Sequence, residues 1–155
     1  MSSLSGKKIL IGVTGGIAAY KTPILVRLLK KLNAEVKVVM TESAKEFVTP
    51  LTLSTTAQNP VVSSFKSDDD STWNNHVELG LWADFFIIYP ATANTLFKMA
   101  NGNCDNLLLG VYLSCKSKVF FAPAMDLDMY KHQSTKESIN TVSYTHLTLP
   151  TNREV

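Results

Sequence analysis

Three short apolar runs constrain the fold of this chain more than any other feature. They are KILIGV at Lys8–Val13, DFFIIY at Asp84–Tyr89 and KVFFA at Lys118–Ala122. Runs of this length are typical of strands that are buried on both faces of a parallel sheet. Between the first two, apolar residues recur at helical spacing over Ile17–Leu32. Strands that alternate with helices in this way predict an α/β fold with a doubly wound parallel sheet.

The remaining segments complete this alternation. Because proline has no backbone N–H, we expect Pro23 to kink its helix or to leave the first turn irregular. We expect Asp105 to cap the helix that it begins. The other predicted elements are strands at Glu35–Met40 and Val61–Phe65 and helices at His76–Trp82, Thr92–Ala100 and Asp105–Ser114.

Composition and charge exclude several classes of function. The chain has 155 residues, of which 18% are charged, and a formal net charge of +2. That balance is too weak to indicate binding to nucleic acid or to a membrane surface. No apolar run approaches the roughly 18 residues of a membrane-spanning helix, and Met1–Lys8 lacks the features of a secretory signal. Cys104 and Cys115 have neither CxxC spacing nor a nearby set of histidines. We therefore expect reduced thiols, no metal site and a cytoplasmic protein.

The last residues depart from the strand and helix rhythm. From Ser143 onward the sequence SYTHLTLPTNREV is polar and rich in threonine. It resembles translated read-through of a sequencing adapter. We therefore expect one domain over residues 1–142, incomplete at its C-terminus, and a non-native tail over residues 143–155.

A glycine-rich turn follows the first predicted strand. Residues 12–17 read GVTGGI. Glycines let backbone amides approach an anion closely, and a helix N-terminus adds a partial positive charge, so a phosphate suits this position. The spacing matches neither GxGxxG nor the P-loop. After the second strand, Glu42 could hold the ribose of NAD, whereas Thr41 and Ser43 suit a phosphate equally well. The NAD and phosphate interpretations both stay open, and so does a tight turn that binds no ligand.

Four motifs carry a more specific signal, three at the ends of predicted strands and one on the predicted helix before the strand Asp84–Tyr89. They are GVTGGIAAYK at 12–21, HVEL at 76–79, YPATANT at 89–95 and APAMDLDM at 122–129. In this order the chain resembles the homo-oligomeric flavin-containing cysteine decarboxylases, and among them the phosphopantothenoylcysteine decarboxylases. The resemblance runs from Lys7 to Ile139 and is strongest to the decarboxylase half of bifunctional bacterial coenzyme A biosynthesis proteins. It implies a Rossmann-like flavoprotein fold.

The resemblance implies bound FMN and a defined activity. That activity is the FMN-dependent decarboxylation of 4'-phosphopantothenoylcysteine to 4'-phosphopantetheine in coenzyme A biosynthesis. His76 is the implied catalytic residue, and a helix N-terminus would favour the neutral imidazole that can accept a proton. The amide of Asn94 suits the donor and acceptor edge of a flavin ring. The implied flavin-binding residues are Gly15, Gly16, Thr41, Phe47, Thr92, Ala93, Asn94 and Thr95.

The segment PAMDLDM departs from the family pattern. The family has Asn where Asp126 stands, and that Asn binds the substrate carboxylate. An ionised Asp126 would repel the carboxylate, so either Asp126 is protonated, or a neighbouring cation compensates it, or the contact differs. We expect Asp126 and Met129 to contact the substrate.

The resemblance also implies a reaction sequence and partners. In the family, the flavin oxidises the cysteine end of the substrate, and the resulting thioaldehyde is an electron sink for loss of carbon dioxide. A cysteine on a flap beyond the PAMDLDM segment serves the final reduction, and this sequence lacks that flap. We therefore expect the chain to bind FMN but to complete the reaction poorly. A homotrimer or higher homo-oligomer with flavin between its subunits is implied, and so is a synthetase domain in the native full-length protein.

Three alternatives remain. A flavin prenyltransferase shares the fold and FMN, but it usually has a serine-rich turn where this chain has GGIAAYK. His76 argues against a non-catalytic flavoprotein that serves as a regulatory subunit, whereas Asp126 and the missing flap leave that alternative open. A plain nucleotide-binding domain rests only on the glycine turn and Glu42.

Overall fold

Strands and helices alternate along the chain, as the sequence predicts. A computed structural model describes residues 3–67 and 73–144 and the backbone of residues 147–148. Two short 3₁₀ turns, Ile17–Lys21 and Ser43–Glu46, follow the first two strands. In chain order the strands and α-helices are β1 Lys8–Val13, α1 Thr22–Lys31, β2 Glu35–Met40, α2 Pro50–Ala57, β3 Val61–Val62, α3 His76–Trp82, β4 Phe85–Ala91, α4 Ala93–Ala100, α5 Leu107–Ser114, β5 Lys118–Pro123, α6 Leu127–Lys131, α7 Gln133–Ser143 and β6 Leu147–Thr148.

The described strands form one parallel sheet of order β3-β2-β1-β4-β5-β6. The chain moves outward from β1 to β3 and then returns to the centre, where β4 pairs with β1. The strand order therefore reverses between β1 and β4. At such a point the loops after the two central strands diverge and leave a crevice at the carboxyl edge of the sheet. The predicted doubly wound fold is confirmed, and the crevice lies where the glycine turn and the YPATANT segment meet.

Two apolar clusters cover the two faces of the sheet. Along β1, Leu10 packs into a cluster that includes residues of α3, α4, α5 and α7, whereas Ile9 and Ile11 face α1 and α2. This division follows from the two-residue period of a strand. Helix α5 approaches β1 closely at Gly12, where an added Cβ would lie 3.0 Å from side-chain atoms of Leu108 and Phe86.

A groove between α1 and β4 leaves apolar side chains exposed. Ile24 and Leu28 of α1 are 59% and 52% exposed. They line the groove together with Ile87 and Tyr89 of β4, which are half-buried. Contiguous exposed apolar surface of this kind is typical of a face that binds another molecule.

The helix predicted over Ile17–Leu32 divides into two parts. A 3₁₀ turn covers Ile17–Lys21, and α1 begins at Thr22 with Pro23 in its first turn. Proline is tolerated there because the first amides of a helix have no partner within the helix. The predicted irregular first turn is therefore confirmed.

The prediction that Asp105 caps α5 is wrong. Asn106 is the N-cap, and its side-chain oxygen accepts a hydrogen bond from the Leu109 N–H at 2.8 Å. Asp105 instead forms an ion pair with Lys98 at 2.7 Å. Asn and Asp are similarly favoured at the N-cap, so residue preference alone does not decide between Asp105 and Asn106.

Three predicted strands differ in length from the observed ones, and β5 is longer than predicted only by Pro123. β3 spans only Val61–Val62, whereas Val61–Phe65 was predicted. The ring of Phe65 leaves the sheet and stacks on Trp73 with centroids 5.3 Å apart. β4 extends through Pro90 to Ala91, with a register irregularity between Ile88 and Ala91. Proline is accommodated at such irregularities because it cannot donate to a regular ladder.

The predicted non-native tail lies mostly outside the described residues, at 145–146 and 149–155. Within the described part, α7 ends at Ser143, and β6 pairs in parallel with Phe120 and Phe121 of β5. The alternation of helix and strand therefore continues one short strand further than predicted. Over the residues that the structure describes, no helix is long and apolar enough to cross a membrane.

Candidate functional site

A cavity of about 710 Å³ opens at the carboxyl edge of the sheet, at the crevice between β1 and β4. The segments that follow β1, β2, β4 and β5 line it, together with the residues that precede α5. These lining residues are Gly15, Gly16, Ile17, Thr41, Glu42, Ser43, Thr92, Ala93, Asn94, Thr95, Lys98, Asp105, Asn106, Ala124, Met125, Asp126 and Met129. The volume lies within the range of pockets for cofactor-sized molecules.

The glycine turn forms one wall of the cavity against the segment after β2. A Cβ added to Gly15 would lie 2.6 Å from Ser43 Cβ and 3.0 Å from the Ser43 carbonyl carbon, so only glycine fits there. At Gly16 the nearest atom to an added Cβ is Thr92 Cγ2, at 3.3 Å. Close approach of backbone at Gly15 brings the segments after β1 and β2 to one surface, where the hydroxyls of Thr41 and Ser43 lie beside the glycine turn.

Hydroxyl groups define the segment after β2. Thr41 is buried, and its N–H donates to the Val13 carbonyl at 3.0 Å. Its hydroxyl accepts a hydrogen bond from the Ala44 N–H at 3.3 Å and lies 3.2 Å from the Ser43 hydroxyl. This network holds Thr41 and Ser43 beside the glycine turn.

The N-terminus of α4 forms the opposite wall. Thr92 is its N-cap, and the Thr92 hydroxyl accepts a hydrogen bond from the Thr95 N–H at 3.2 Å. Ala93, Asn94 and Thr95 are the first residues of the helix and line the cavity. The first amides of a helix lack partners within it and carry a partial positive charge, so they suit an electron-rich ligand edge.

Charged side chains in the cavity wall are mostly acidic. The carboxylates of Glu42, Asp105 and Asp126 line the cavity, with Lys98 as the one ammonium among the described lining residues. Glu42 forms an ion pair with Lys45 at 3.1 Å, and Asp105 with Lys98 at 2.7 Å. An anionic ligand would therefore be met by backbone N–H groups and hydroxyls rather than by excess cationic side chains.

Asp126 is the N-cap of α6. Its Oδ1 accepts a hydrogen bond from the Met129 N–H at 2.9 Å, and its side chain is exposed to the cavity. Asn would make the same cap. Asp126 and Met129 both line the cavity, and so does Met125, whose side chain is buried.

Residues 1–152 match the model of the family described as Flavoprotein. The chain belongs to the flavoprotein family.

Similar proteins narrow the family assignment of this flavoprotein to a group of related sequences. It is 45% identical over 143 residues to the coenzyme A biosynthesis bifunctional protein CoaBC of Vibrio vulnificus, which covers 92% of the chain and 36% of that protein. It is 45% identical over 135 residues to a probable phosphopantothenoylcysteine decarboxylase of Streptococcus mutans, with 86% of the chain and 75% of that protein covered. The chain thus spans about a third of the length of its bifunctional relatives.

A solved structure agrees in fold. The FMN binding protein AtHal3 superposes on this flavoprotein with a TM-score of 0.82 and 31% sequence identity, over 93% of the chain and 80% of that structure. The predicted resemblance to phosphopantothenoylcysteine decarboxylases is confirmed.

Two of the predicted site residues do not line the flavoprotein's cavity. Phe47 lies at the end of the 3₁₀ turn Ser43–Glu46 and is 40% exposed. His76 begins α3, where its ring contacts Phe65 edge-on at 5.7 Å. An added Cβ on Gly110 of α5 would lie 3.5 Å from the His76 ring. The Nδ1 atom of His76 is buried and has no hydrogen-bond partner within the described residues. Their roles stay predictions.

Sequence reasoning missed several lining residues of the flavoprotein. Lys98, Asp105 and Asn106 belong to the segment NTLFKMANGNCDNLL at 94–108, which overlaps the YPATANT motif and received no role in the predicted site. A signal was present, because Lys98 in the last turn of α4 and Asp105 just before α5 carry opposite charges. Ile17 and Ala124 also line the cavity, and small or apolar residues of this kind carry no chemical signal in a sequence.

Proposed function

We propose that this chain is an FMN-dependent decarboxylase that converts 4'-phosphopantothenoylcysteine to 4'-phosphopantetheine in coenzyme A biosynthesis. The observation that carries the proposal is the cavity between β1 and β4, where the strand order reverses. The Gly15 turn and the N-terminus of α4 bound it. The names of the relatives from Vibrio vulnificus and Streptococcus mutans support the substrate. The name of the AtHal3 structure supports FMN.

The residues of the cavity fit FMN. Gly15 lets the segment after β1 pack closely against Ser43, where a Cβ would collide, and the backbone N–H groups and hydroxyls of these two segments suit a phosphate. Asn94 is exposed at the first turn of α4, where its amide can pair with the donor and acceptor atoms of a flavin ring. The set of residues proposed to hold FMN is Gly15, Gly16, Thr41, Thr92, Ala93, Asn94 and Thr95, with Phe47 at the rim.

When bound, FMN would supply the redox chemistry that makes loss of carbon dioxide possible. The chain's own part is to bind the substrate and to move a proton. Asp126 and Met129 line the cavity beside α6 and are proposed to contact the substrate. His76 is proposed as the catalytic residue. Because its Nδ1 is enclosed by protein, Nε2 is the atom that would exchange a proton with the substrate.

We propose further that the protein assembles as a homotrimer or higher homo-oligomer, with its sites near the subunit contacts. Ile17 lines the cavity and is 52% exposed. Tyr20 in the same 3₁₀ turn and Ile24 and Leu28 on α1 are also exposed apolar side chains. His76 does not line the cavity of its own chain. If subunits meet through this apolar surface, His76 of a neighbouring subunit could complete the site. A synthetase domain in the native full-length protein is supported by the bifunctional relatives. The free thiols of Cys104 and Cys115 suit the cytoplasm.

Purification followed by incubation with substrate tests the proposed function. We expect a yellow protein with the absorbance of oxidised flavin, and release of carbon dioxide from 4'-phosphopantothenoylcysteine with formation of a decarboxylated product, read by mass spectrometry. A colourless protein that does not take up FMN would refute flavin binding. A yellow protein that leaves this substrate intact but transfers a prenyl group to FMN would instead identify a flavin prenyltransferase.

A further inference from the structure

Thr14 is a fully buried polar residue between β1 and the glycine turn, and it does not line the cavity. Its hydroxyl donates a hydrogen bond to the Pro90 carbonyl at 2.5 Å. The same hydroxyl accepts a hydrogen bond from the Thr92 N–H at 3.2 Å. A hydroxyl can donate and accept at once, so one side chain holds two backbone groups of the loop after β4.

The hydrogen bonds of Thr14 lie just beyond the point where the pairing of β1 with β4 ends. The pairing of β1 with β4 runs to Gly12 opposite Ile88 and ends there. Thr14 lies two residues further, and its hydroxyl is the next link between the two central strands. Beyond it the chain diverges into the Gly15–Gly16 turn on one side and the Thr92 cap of α4 on the other.

The hydrogen bonds continue from Thr14 into the cavity wall. The Thr92 hydroxyl accepts from the Thr95 N–H at 3.2 Å and donates to the Thr95 hydroxyl at 3.1 Å. Gly16 faces Thr92 at a distance that leaves little room for a side chain. The hydrogen bonds of Thr14 therefore connect the start of the glycine turn to the N-cap of α4.

We propose that Thr14 is a positioning residue for the flavin site, because it sets the distance between the two segments that hold opposite ends of the cofactor. This inference rests on the proposed binding of FMN. A ligand that spans both walls binds well only if their separation matches its length, so loss of the Thr14 hydrogen bonds should weaken FMN binding and change the environment of the flavin ring.

The test compares Thr14→Val, which keeps the side-chain volume but removes the hydroxyl, with Thr14→Ser, which keeps the hydroxyl. Thr22→Val is the matched control, because Thr22 is also fully buried and its hydroxyl donates to a backbone carbonyl, that of Ala19, without joining the two walls. FMN affinity is measured by fluorescence titration, the bound flavin by its visible spectrum, and the fold by thermal unfolding without FMN.

We expect Thr14→Val to weaken FMN binding roughly tenfold or more, the order expected when two buried hydrogen bonds are lost. Its flavin spectrum should shift, and hydrogen exchange at the Thr92 and Thr95 amides should accelerate. Thr14→Ser should bind FMN within about threefold of the unaltered chain, since it retains the hydroxyl. Thr22→Val should lower the unfolding temperature but leave the affinity and spectrum unchanged.

Several results would overturn the assignment. Thr14→Val with unaltered affinity and spectrum would refute it, and so would a loss of affinity no larger than that of Thr22→Val. If Thr14→Val does not fold, Thr14→Ser still decides, because weakening of FMN binding by tenfold would refute a role for the hydroxyl that serine retains. If the unaltered chain does not bind FMN at all, the proposed function is refuted. If it binds FMN and Thr14→Val binds it equally well, only the role of Thr14 is refuted.

Discussion

Lys98 Nζ lies 2.7 Å from Asp105 Oδ2, and this ion pair joins α4 to the loop before α5 at the wall of the cavity. The side chains are 24% and 52% exposed, so the pair is partly screened by water. Without Lys98, the charged side chains in the described wall of the cavity would all be carboxylates. The pair therefore bears on the binding of anions more than on folding.

Substitutions of the two partners should have opposite effects on ligand binding. Lys98→Gln leaves Asp105 uncompensated and should weaken binding of FMN and of the anionic substrate several-fold. Asp105→Asn frees the ammonium and should strengthen binding. Either change should alter the free energy of unfolding by less than about 1 kcal/mol. Titration with FMN and denaturant unfolding check both expectations, and equal effects of the two variants on affinity would contradict this role of the pair.

The two glycines of the turn should differ in their tolerance of a side chain. Gly15→Ala forces Ser43 and its backbone to move, which should destabilise the fold by about 1–3 kcal/mol. It should also reduce FMN affinity more than tenfold, because the anion-binding surface is displaced. Gly16→Ala meets only Thr92 Cγ2 at 3.3 Å and serves as the control, with a smaller effect on both. Unfolding by urea and flavin retention measure the difference, and equal retention by both variants would argue against the close approach at Gly15.

Asp126→Asn separates the charge of Asp126 from its capping role. Asn retains the cap that receives the Met129 N–H, so the free energy of unfolding should change by less than about 0.5 kcal/mol. If the carboxylate faces a carboxylate substrate, removal of one charge in a solvent-exposed site should lower KM roughly fivefold, which corresponds to about 1 kcal/mol. Steady-state kinetics check this. A higher KM would indicate that Asp126 accepts a hydrogen bond from the substrate instead.

His76→Asn should separate flavin binding from catalysis. We expect the variant to stay yellow, since His76 lies outside the cavity lining, but to lose most of its decarboxylation. The control is His132→Asn, because His132 is exposed and caps α7 through Nδ1, a role that Asn can also fill. Carbon dioxide release by His76→Asn at the rate of the His132→Asn protein would remove His76 from the mechanism.

Charges placed on the apolar face of α1 should dissociate the proposed oligomer. Ile24→Lys introduces an ammonium into the groove between α1 and β4, where its desolvation on subunit contact would be unfavourable. Leu51→Lys is the control, since Leu51 is 74% exposed on α2 and does not line that groove. Light scattering should give a smaller species for Ile24→Lys alone. If FMN binding falls together with assembly, the sites lie at subunit contacts.

Much of the fold could be predicted because the signals that specify it are local. The buried run KILIGV and the bounds of α3 depend on burial and on caps from immediate neighbours in the chain. The cap of α4 by Thr92 is of the same kind. The motifs at the ends of β1, β4 and β5 also indicated the side of the sheet where a ligand would lie, since parallel strands bring their carboxyl ends to one edge.

What the sequence by itself determined is therefore the order of strands and helices, the edge that carries the site and the residue types at that edge. Only the tertiary structure decided which of those residues meet. The Thr14 hydroxyl accepts a hydrogen bond from the Thr92 N–H, 78 residues further along the chain. Lys98 pairs with Asp105, and Asn106 caps α5. His76 packs against Phe65 and Gly110 and does not line the cavity. Each outcome depends on how the elements pack in space, and one chain's local pattern carries no record of that packing.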